Sequence, residues 1–219
     1  MPYYSDDNAV TLDELKARIV STDLIPSRVS LLKDIDRNFA QLWENGIQNL
    51  AGLRSRLKQA KKIPAFSAET GIDTEYLTLL RREVESYFPK PFPVQSFGWL
   101  GSDIISRLEE GGLSTTRLLY EALDSPDRQS AVSERFKVDA AALATLFQYA
   151  DLTRIQWVSP LSARMLHDAG YTGAGSVCCA EAAELYKSLD RINAQNGYFK
   201  GTIGLRDVRR LIHSASYLP

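Results

Sequence analysis

The sequence has few of the residues that build metal and redox sites. Its only cysteines are the neighbours Cys178 and Cys179, and its only histidines are His167 and His213. Adjacent cysteines cannot build a disulfide framework or a CxxC pair, and neither histidine stands in an HxxxH or HExxH motif. We therefore expect no metal, no disulfide and no cofactor, with both cysteines as small buried residues of a reducing compartment.

Motifs for nucleotide binding and nucleophilic catalysis are also missing. The stretch Gly173-Ala174-Gly175-Ser176 matches neither the GxxxxGK[ST] phosphate loop nor the GxSxG elbow. Without a nucleophile, metal or cofactor motif, we expect a protein that is not an enzyme and has no small-molecule substrate.

The chain carries no strong excess of charge of either sign. It has 26 basic and 27 acidic residues, giving a net charge of -1, whereas nucleic-acid-binding domains usually have a basic excess. A local basic patch is still compatible with this balance. No apolar run reaches the length of a bilayer span, and the first residues, MPYYSDDNAV, lack the features of a signal peptide. We expect a cytoplasmic protein without a membrane partner.

Apolar residues recur at helical spacing throughout, as in Leu77, Leu80 and Val84, and do not alternate as in strands. Thr11-Leu12-Asp13-Glu14 has the form of a capping box and predicts a first helix to about Ser21. Other predicted caps are Ser27, for a second helix through Leu32, and Ser114, Ser125 and Asp139. A last helix is predicted over about 205–216. These patterns predict an all-α fold.

The sequence also contains an internal repeat. An offset of 66 places Gly46 on Gly112 and Asp73 on Asp139, and an offset of 58 places Gly112 on Gly170. We predict an arm (1–30), copy one (31–88), a proline-rich joint (88–93), copy two (94–152) and copy three (153–219). The copies are expected to pack as one elongated or two-lobed helical protein.

Copies two and three carry a family resemblance. The phrases DLTRIQWVSPLSARMLHDAGY (151–171) and FGWLGSDIISRLEEGGL (97–113) resemble the helix-hairpin-helix repeats of an uncharacterised domain family within the wider helix-hairpin-helix and SAM-like superfamily. The resemblance implies tandem helix-hairpin-helix repeats. It also implies binding of nucleic acid without sequence preference, or, as in other members of the superfamily, contact with proteins alone.

The hairpins depart from the form that binds phosphate. That form places glycines beside the second helix, so that bare amides reach a phosphate at the positive end of the helix dipole. Trp157 and Ser159 hold these positions in copy three, and Trp99 and Gly101 hold them in copy two. We expect both tryptophans to pack each hairpin against a neighbouring copy.

Three basic groups are candidate contacts with a nucleic-acid backbone. The first flanks the hairpin of copy three: Arg154, Ser159 and Arg164. The second is predicted on the helix after the first hairpin: Arg54, Arg56, Lys58, Lys61 and Lys62. The third is one face of the last helix, preceded by Tyr198 and Phe199 as stacking residues: Arg206, Arg209, Arg210 and His213.

Each basic group also has a structural interpretation. Ser159 followed by a proline is a good helix start, charge runs are commonly solvated faces, and the last helix can dock through Leu205, Val208, Leu211 and Ile212. The sequence thus predicts a non-enzymatic binding module for nucleic acid. The alternative is a protein-interaction or self-association scaffold whose hairpins do not bind nucleic acid.

Overall fold

The computed structural model describes residues 2–219, and helices are its regular structure throughout that range. It contains thirteen α-helices and three 3-10 segments. Two isolated bridges, Thr11 with Asn49 and Pro93 with Thr115, are the extended pairings among the described residues. The prediction of an all-α fold is confirmed.

The chain divides into two units. The smaller comprises Asp6–Phe88, and the larger comprises residues 2–5 together with Pro89–Pro219. In sequence the division falls between Phe88 and Pro89. The finer division into three copies stays a prediction.

The smaller unit contains five α-helices and two 3-10 segments, Pro26–Leu32 and Ala60–Lys62. The helices are α1 (Leu12–Ser21), α2 (Ile35–Glu44), α3 (Leu50–Leu57), α4 (Ile63–Thr70) and α5 (Thr74–Ser86). Each presents a stripe of leucine, isoleucine or phenylalanine to one core, in which Leu15, Leu53 and Leu77 are fully buried. Burial of such a side chain contributes about 1.5–3 kcal/mol.

The start of α1 is a complete capping box, as predicted. The Thr11 hydroxyl accepts from the Glu14 amide at 3.2 Å, and the Glu14 carboxylate accepts from the Thr11 amide at 2.8 Å. The predicted cap at Ser27 is wrong. That stretch is the 3-10 segment Pro26–Leu32, preceded by Ile25 without a side-chain cap, because Pro26 fixes the first position of the turn.

The larger unit contains eight α-helices and the 3-10 segment Val94–Leu100. The helices are α6 (Ser102–Glu110), α7 (Thr116–Ala122), α8 (Pro126–Phe136), α9 (Ala140–Leu152), α10 (Pro160–Asp168), α11 (Ala174–Cys178), α12 (Ala182–Asn196) and α13 (Leu205–Ala215). They share a core centred on α9. The last helix docks as predicted, with Val208 buried and Leu211 and Ile212 packed on that core.

Side chains cap most helices of this unit. Ser125, Asp139 and Ser159 cap α8, α9 and α10 as predicted, each accepting from an amide in the first turn. The prediction for Ser114 is wrong by one residue. Thr115 has the extended backbone of an N-cap and accepts from the Leu118 amide at 3.3 Å.

Three helix ends share one geometry. Gly46, Gly112 and Gly170 have φ of 79°, 86° and 94°, the left-handed region that glycine enters without strain. In each case the amide of the next residue donates to a carbonyl five residues back, Ile47 to Leu42, Leu113 to Leu108 and Tyr171 to Leu166. This bond satisfies a carbonyl that the end of the helix leaves open.

Candidate functional site at the third hairpin

The turn between α9 and α10 presents two arginines and a tryptophan in very different surroundings. Its backbone is closed by amides of Arg154, Ile155 and Val158, each donating to a carbonyl three residues back. Ile155 and Val158 point into the core and fix the turn against it. Ser159 then caps α10, so the turn has little freedom to reorient its side chains.

Arg154 does not lie at the surface, so the prediction that it flanks the turn as an exposed cation is wrong. Its side chain is 1 % exposed and forms an ion pair with Asp151, Nη1 to Oδ1, at 2.6 Å. Nη1 also donates to the Tyr120 hydroxyl at 2.5 Å, and Nη2 donates to the carbonyl of Pro219 at 3.1 Å. These bonds satisfy a guanidinium that burial would otherwise penalise heavily.

The fourth partner of Arg154 comes from the start of the chain. Its Nε donates to the main-chain carbonyl of Tyr3 at 2.9 Å. The Tyr3 ring is buried against Tyr120, with the ring centroids 5.7 Å apart and the planes at 77°. Burial raises the pKa of both tyrosines, against the lowering effect of Arg154. Their hydroxyls therefore stay protonated and neutral at physiological pH.

Asp151 joins the hairpin to α11. Its Oδ2 accepts from the Ala174 amide at 2.8 Å, while Oδ1 binds Arg154. Gly173 makes this approach possible, because a Cβ at that position would lie 2.7 Å from Oδ2. The carboxylate thus uses both oxygens in holding two elements of the core together.

Trp157 stands out of the hairpin. Its φ of 69° places a tryptophan in the left-handed region, and its side chain is 51 % exposed. Leu161, four residues later in sequence, is also exposed. The prediction that Trp157 packs the hairpin against a neighbouring copy is wrong, because half of its side chain is exposed.

Arg164 lies between two aromatic rings. Its Cζ is 5.0 Å from the centroid of the Trp99 ring and 5.3 Å from that of Tyr198. Among residues 2–219 it makes no ion pair, and its side chain is half-buried. The two rings hold the guanidinium by cation–π attraction, so the cation is fixed in position while its charge is not neutralised by a carboxylate.

The rings beside Arg164 are themselves held in place. Trp99 packs edge-on against Tyr149, which lies in the same predicted copy, and Phe97 stacks on Tyr149 with centroids 5.5 Å apart. The Tyr198 hydroxyl donates to Asp168 at 2.5 Å, and burial followed by this bond raises the Tyr198 pKa. Both rings keep exposed surface. We call Trp99, Arg164 and Tyr198 the aromatic–arginine stack.

The basic run of the smaller unit does not form one helical face. Arg54 pairs with Asp7 at 2.6 Å and Glu85 at 3.1 Å, and Arg56 pairs with Glu69. The predicted helix is wrong beyond Leu57, because Lys58 caps α3 and the next lysines belong to the segment Ala60–Lys62. Lys58, Lys61 and Lys62 are exposed and, within the described chain, form no ion pair.

The tail arginines lie on α13. Arg206 and Arg209 are exposed, while Arg210 is half-buried and donates to Asp207 at 3.2 Å. His213 lies edge-on to Tyr217, with centroids 5.2 Å apart. Phe199 is exposed, whereas Tyr198 belongs to the aromatic–arginine stack.

The cysteines and acidic residues bring no metal site together. Over residues 2–219, no three cysteine, histidine, aspartate or glutamate side chains are grouped to hold an ion. Cys178 is half-buried, but Cys179 is exposed, so the prediction of two buried cysteines is wrong for Cys179, which lies at the C-cap of the short helix α11. In the same part of the chain, no helix has the length and apolar character needed to cross a bilayer.

Sequence reasoning missed several residues of this region. Asp151 stands three residues before Arg154, a helical ion-pair spacing that the sequence does contain. Tyr3 carries no such signal, because 150 residues separate it from Thr153 and no local pattern links them. Tyr198 was predicted to stack on bases, but its partnership with Arg164 depends on the tertiary fold.

These observations define a class of protein: an all-α chain in which the turn between α9 and α10 is flanked by a buried arginine and by a second arginine held by two aromatic rings. The chain belongs to the family described as a domain of unknown function, DUF4332, which matches residues 100–218, more than half of its length. The match includes α6 to α13, with both hairpin arginines. No curated protein and no solved structure matches the chain significantly.

Proposed function

We propose that the chain is a non-enzymatic binding module that contacts single-stranded nucleic acid through the aromatic–arginine stack. The observation that carries the proposal is the position of Arg164, whose Cζ lies 5.0 Å from the Trp99 ring centroid and 5.3 Å from that of Tyr198, with no ion pair to any of residues 2–219. A guanidinium held in position without an ion pair suits a phosphate, and half-exposed rings beside it suit unstacked bases.

The proposal favours single strands over duplexes. Duplex contact by a helix-hairpin-helix unit needs bare amides at the turn, and Trp157 and Ser159 occupy the positions where glycines would expose them. Ring stacking requires bases that are not already paired and stacked.

The helix-hairpin-helix repeat is part of the proposal. Three features recurring at an offset of 66 support it. The helices α5 and α9 both have 13 residues and begin after capping aspartates, Asp73 and Asp139. The Ser67 hydroxyl donates to the Ile72 carbonyl at 2.6 Å, and the Ser133 hydroxyl donates to the Val138 carbonyl at 2.7 Å. The glycine-terminated ends of α2, α6 and α10 recur at offsets of 66 and 58.

The test is fluorescence anisotropy with a labelled oligo-dT and a matched oligo-U at low salt. Arg164→Ala should weaken binding about tenfold, since one stacked, phosphate-contacting residue contributes about 1–3 kcal/mol. Arg164→Lys should recover only part of the loss, because an ammonium keeps the charge but not the planar stack.

Arg191→Ala is the matched control, since it removes one exposed arginine from α12 of the same unit. The Arg191→Ala variant should bind with an affinity within about twofold of the wild type, and its affinity should depend on salt concentration as that of the wild type does. Equal losses in both variants, or no binding to either oligonucleotide at low salt, would contradict the proposal.

A second candidate function is contact with another protein, and a different observation favours it. Trp157 and Leu161 are four residues apart in sequence and are 51 % and 43 % exposed, and tryptophans are enriched at protein interfaces. Light scattering of the wild type and of Trp157→Ala with Leu161→Ser tests self-association through these residues. An assembly that survives high salt and is lost in the double variant supports it; a monomer at all concentrations counts against it.

A further inference from the structure

The larger unit contains a cleft that is filled by a peptide segment from a distant part of the chain. Residues 2–5 belong to this unit, yet residues 6–88, which form the other unit, separate them from the rest of it. Tyr3 is 2 % exposed, so the segment is an inserted part of the core and not a surface tail. We call the surface that receives it the segment cleft, lined by Thr116, Tyr120, Thr153 and Arg154.

The segment cleft recognises a tyrosine by its hydroxyl and its ring. The Tyr3 hydroxyl lies 3.0 Å from the Thr116 Oγ1 and 3.5 Å from the Thr153 Oγ1, and both threonines are fully buried. Tyr120 packs edge-on against the ring. Each threonine hydroxyl also has a partner of its own, since Thr116 Oγ1 accepts from the Phe92 amide at 3.1 Å and Thr153 Oγ1 donates to the Ala150 carbonyl at 2.9 Å. A side chain without a hydroxyl at the Tyr3 position loses the contacts with both threonines.

The cleft also recognises the peptide main chain and the next two residues. Arg154 donates from Nε to the Tyr3 carbonyl at 2.9 Å. The Tyr4 hydroxyl donates to the Pro89 carbonyl at 2.6 Å, and the Ser5 hydroxyl donates to the Tyr217 carbonyl at 2.8 Å. Contacts to one carbonyl and three successive side chains are the contacts of a peptide-binding site.

From these contacts we infer that the segment cleft is a binding site for a Tyr-Tyr-Ser peptide, filled by the chain's own residues 2–5 and able to take the same residues from a second copy. The chain passes to the other unit at Asp6, and the Asp7 carbonyl already accepts from the Ala51 amide there. The link is therefore only about one residue long. Such a short link between an inserted segment and the next unit is the arrangement from which segment exchange arises.

The experiment uses the full chain with Tyr3→Ala, which empties the tyrosine position. A fluorescein-labelled peptide of residues 2–8 should bind this variant, and a peptide with the same alanine substitution should not. The wild type should bind the native peptide about tenfold or more weakly, because its own segment competes at a high effective concentration. A folded Tyr3→Ala variant that binds neither peptide, or both equally, would overturn the site.

If Tyr3→Ala does not fold, refolding it in the presence of each peptide tests the same binding site. Recovery of the helical circular dichroism with the native peptide alone supports the site, and recovery with neither peptide refutes it. The second copy as the source is tested by refolding the wild type at high concentration and measuring mass by light scattering. A dimer that Tyr3→Ala abolishes supports exchange, whereas a wild type that yields only monomer refutes that source.

Neither the peptide-binding experiment nor the segment-exchange experiment depends on nucleic acid or on the exposed residues Trp157 and Leu161. Arg164→Ala should leave peptide binding unchanged, since Arg164 lies in the aromatic–arginine stack and not in the segment cleft. Trp157→Ala with Leu161→Ser should likewise leave a segment-exchanged dimer intact. The failure of either proposed function is thereby distinguishable from the failure of the segment cleft.

Discussion

Arg154 and Arg164 stand ten residues apart on either side of one hairpin, and the fold gives them opposite surroundings. Arg154 is buried, paired with Asp151 and bound to two main-chain carbonyls. Arg164 is half-exposed, held by two rings and unpaired within residues 2–219. The residues that cover an arginine near a turn, and not the charge pattern of the sequence, therefore decide whether it lies in the core or at the surface.

The largest expected effect is that of removing Arg154. Arg154→Ala should lower the free energy of unfolding by about 3–5 kcal/mol, because it leaves the Asp151 carboxylate without its buried partner. Urea denaturation followed by circular dichroism measures this change. Arg164→Ala is the matched control and should cost less than about 1 kcal/mol. Equal losses in the two variants would contradict the claim that Arg154 stabilises the core and Arg164 does not.

The double variant Arg154→Ala with Asp151→Ala tests whether the two side chains act as a pair. Removing both charges leaves no unpaired carboxylate, so the double variant should lose less free energy of unfolding than the two single variants lose in sum. An additive result would show that Asp151 and Arg154 act independently, contrary to their 2.6 Å contact.

The next largest effect concerns the glycine behind Asp151. Gly173→Ala should cost about 1–3 kcal/mol, because its Cβ would lie 2.7 Å from Asp151 Oδ2 and displace that carboxylate from Ala174. Thermal and urea unfolding measure the loss. Gly175→Ala in α11, where the new Cβ meets no atom within 4 Å, is the control and should be neutral or stabilising.

A smaller effect is expected from the backbone of Trp157. Comparing Trp157→Gly with Trp157→Ala removes the ring from both variants, so their difference reports the left-handed φ of 69° alone. The glycine variant should be more stable by about 1 kcal/mol. Arg191, which lies inside the helix α12, provides the control. At that position the order of stability should reverse, with Arg191→Ala more stable than Arg191→Gly. Alanine and glycine of equal stability at 157 would argue against backbone strain there.

The smallest effect concerns a buried carboxylate of the smaller unit. Burial raises the pKa of Glu83 above its usual 4.5, outweighing Tyr87, Arg28 and Arg18, which lower it. A raised folded pKa favours the folded chain at low pH, and this contribution is lost as pH rises through that pKa. Glu83→Gln should therefore be more stable than the wild type at neutral pH, with the difference shrinking toward pH 4.5.

Urea unfolding at several pH values from 4.5 to 7 checks this sign. Glu75→Gln, at an exposed position of the same helix, is the control. A Glu83→Gln variant that is less stable than the wild type at neutral pH would mean that the Arg28 contact, 3.4 Å from Nε to Oε2, outweighs burial.

Local sequence predicted the parts of the fold that local physics determines. The capping box at Thr11, the caps at Ser125, Asp139 and Ser159, and the docking of the last helix through Val208 depend on residues within one or two turns. The failures at Ser27 and Ser114 are of the same local kind, since each stretch contained a competing signal one residue away.

The candidate site was less predictable because tertiary contacts decide it. Asp151 three residues earlier is a local signal for Arg154, but its burial depends on Tyr3, Tyr120 and Pro219, which no local pattern links to it. Trp157 was misjudged for a related reason, since its φ depends on the turn and not on its hydrophobicity. Residue type predicted which groups matter here, and the fold determined what each one contacts.

The insertion of Tyr3 also orders events during synthesis. Its partners Thr116, Tyr120 and Arg154 are made more than a hundred residues later, and Ser5 meets Tyr217 near the end of the described chain. Residues 6–88 can gather their own core as they leave the ribosome, since their partners lie within that range. The Tyr3 segment therefore stays uncovered until these later partners have been made, and during that interval its aromatic side chains are open to chaperones.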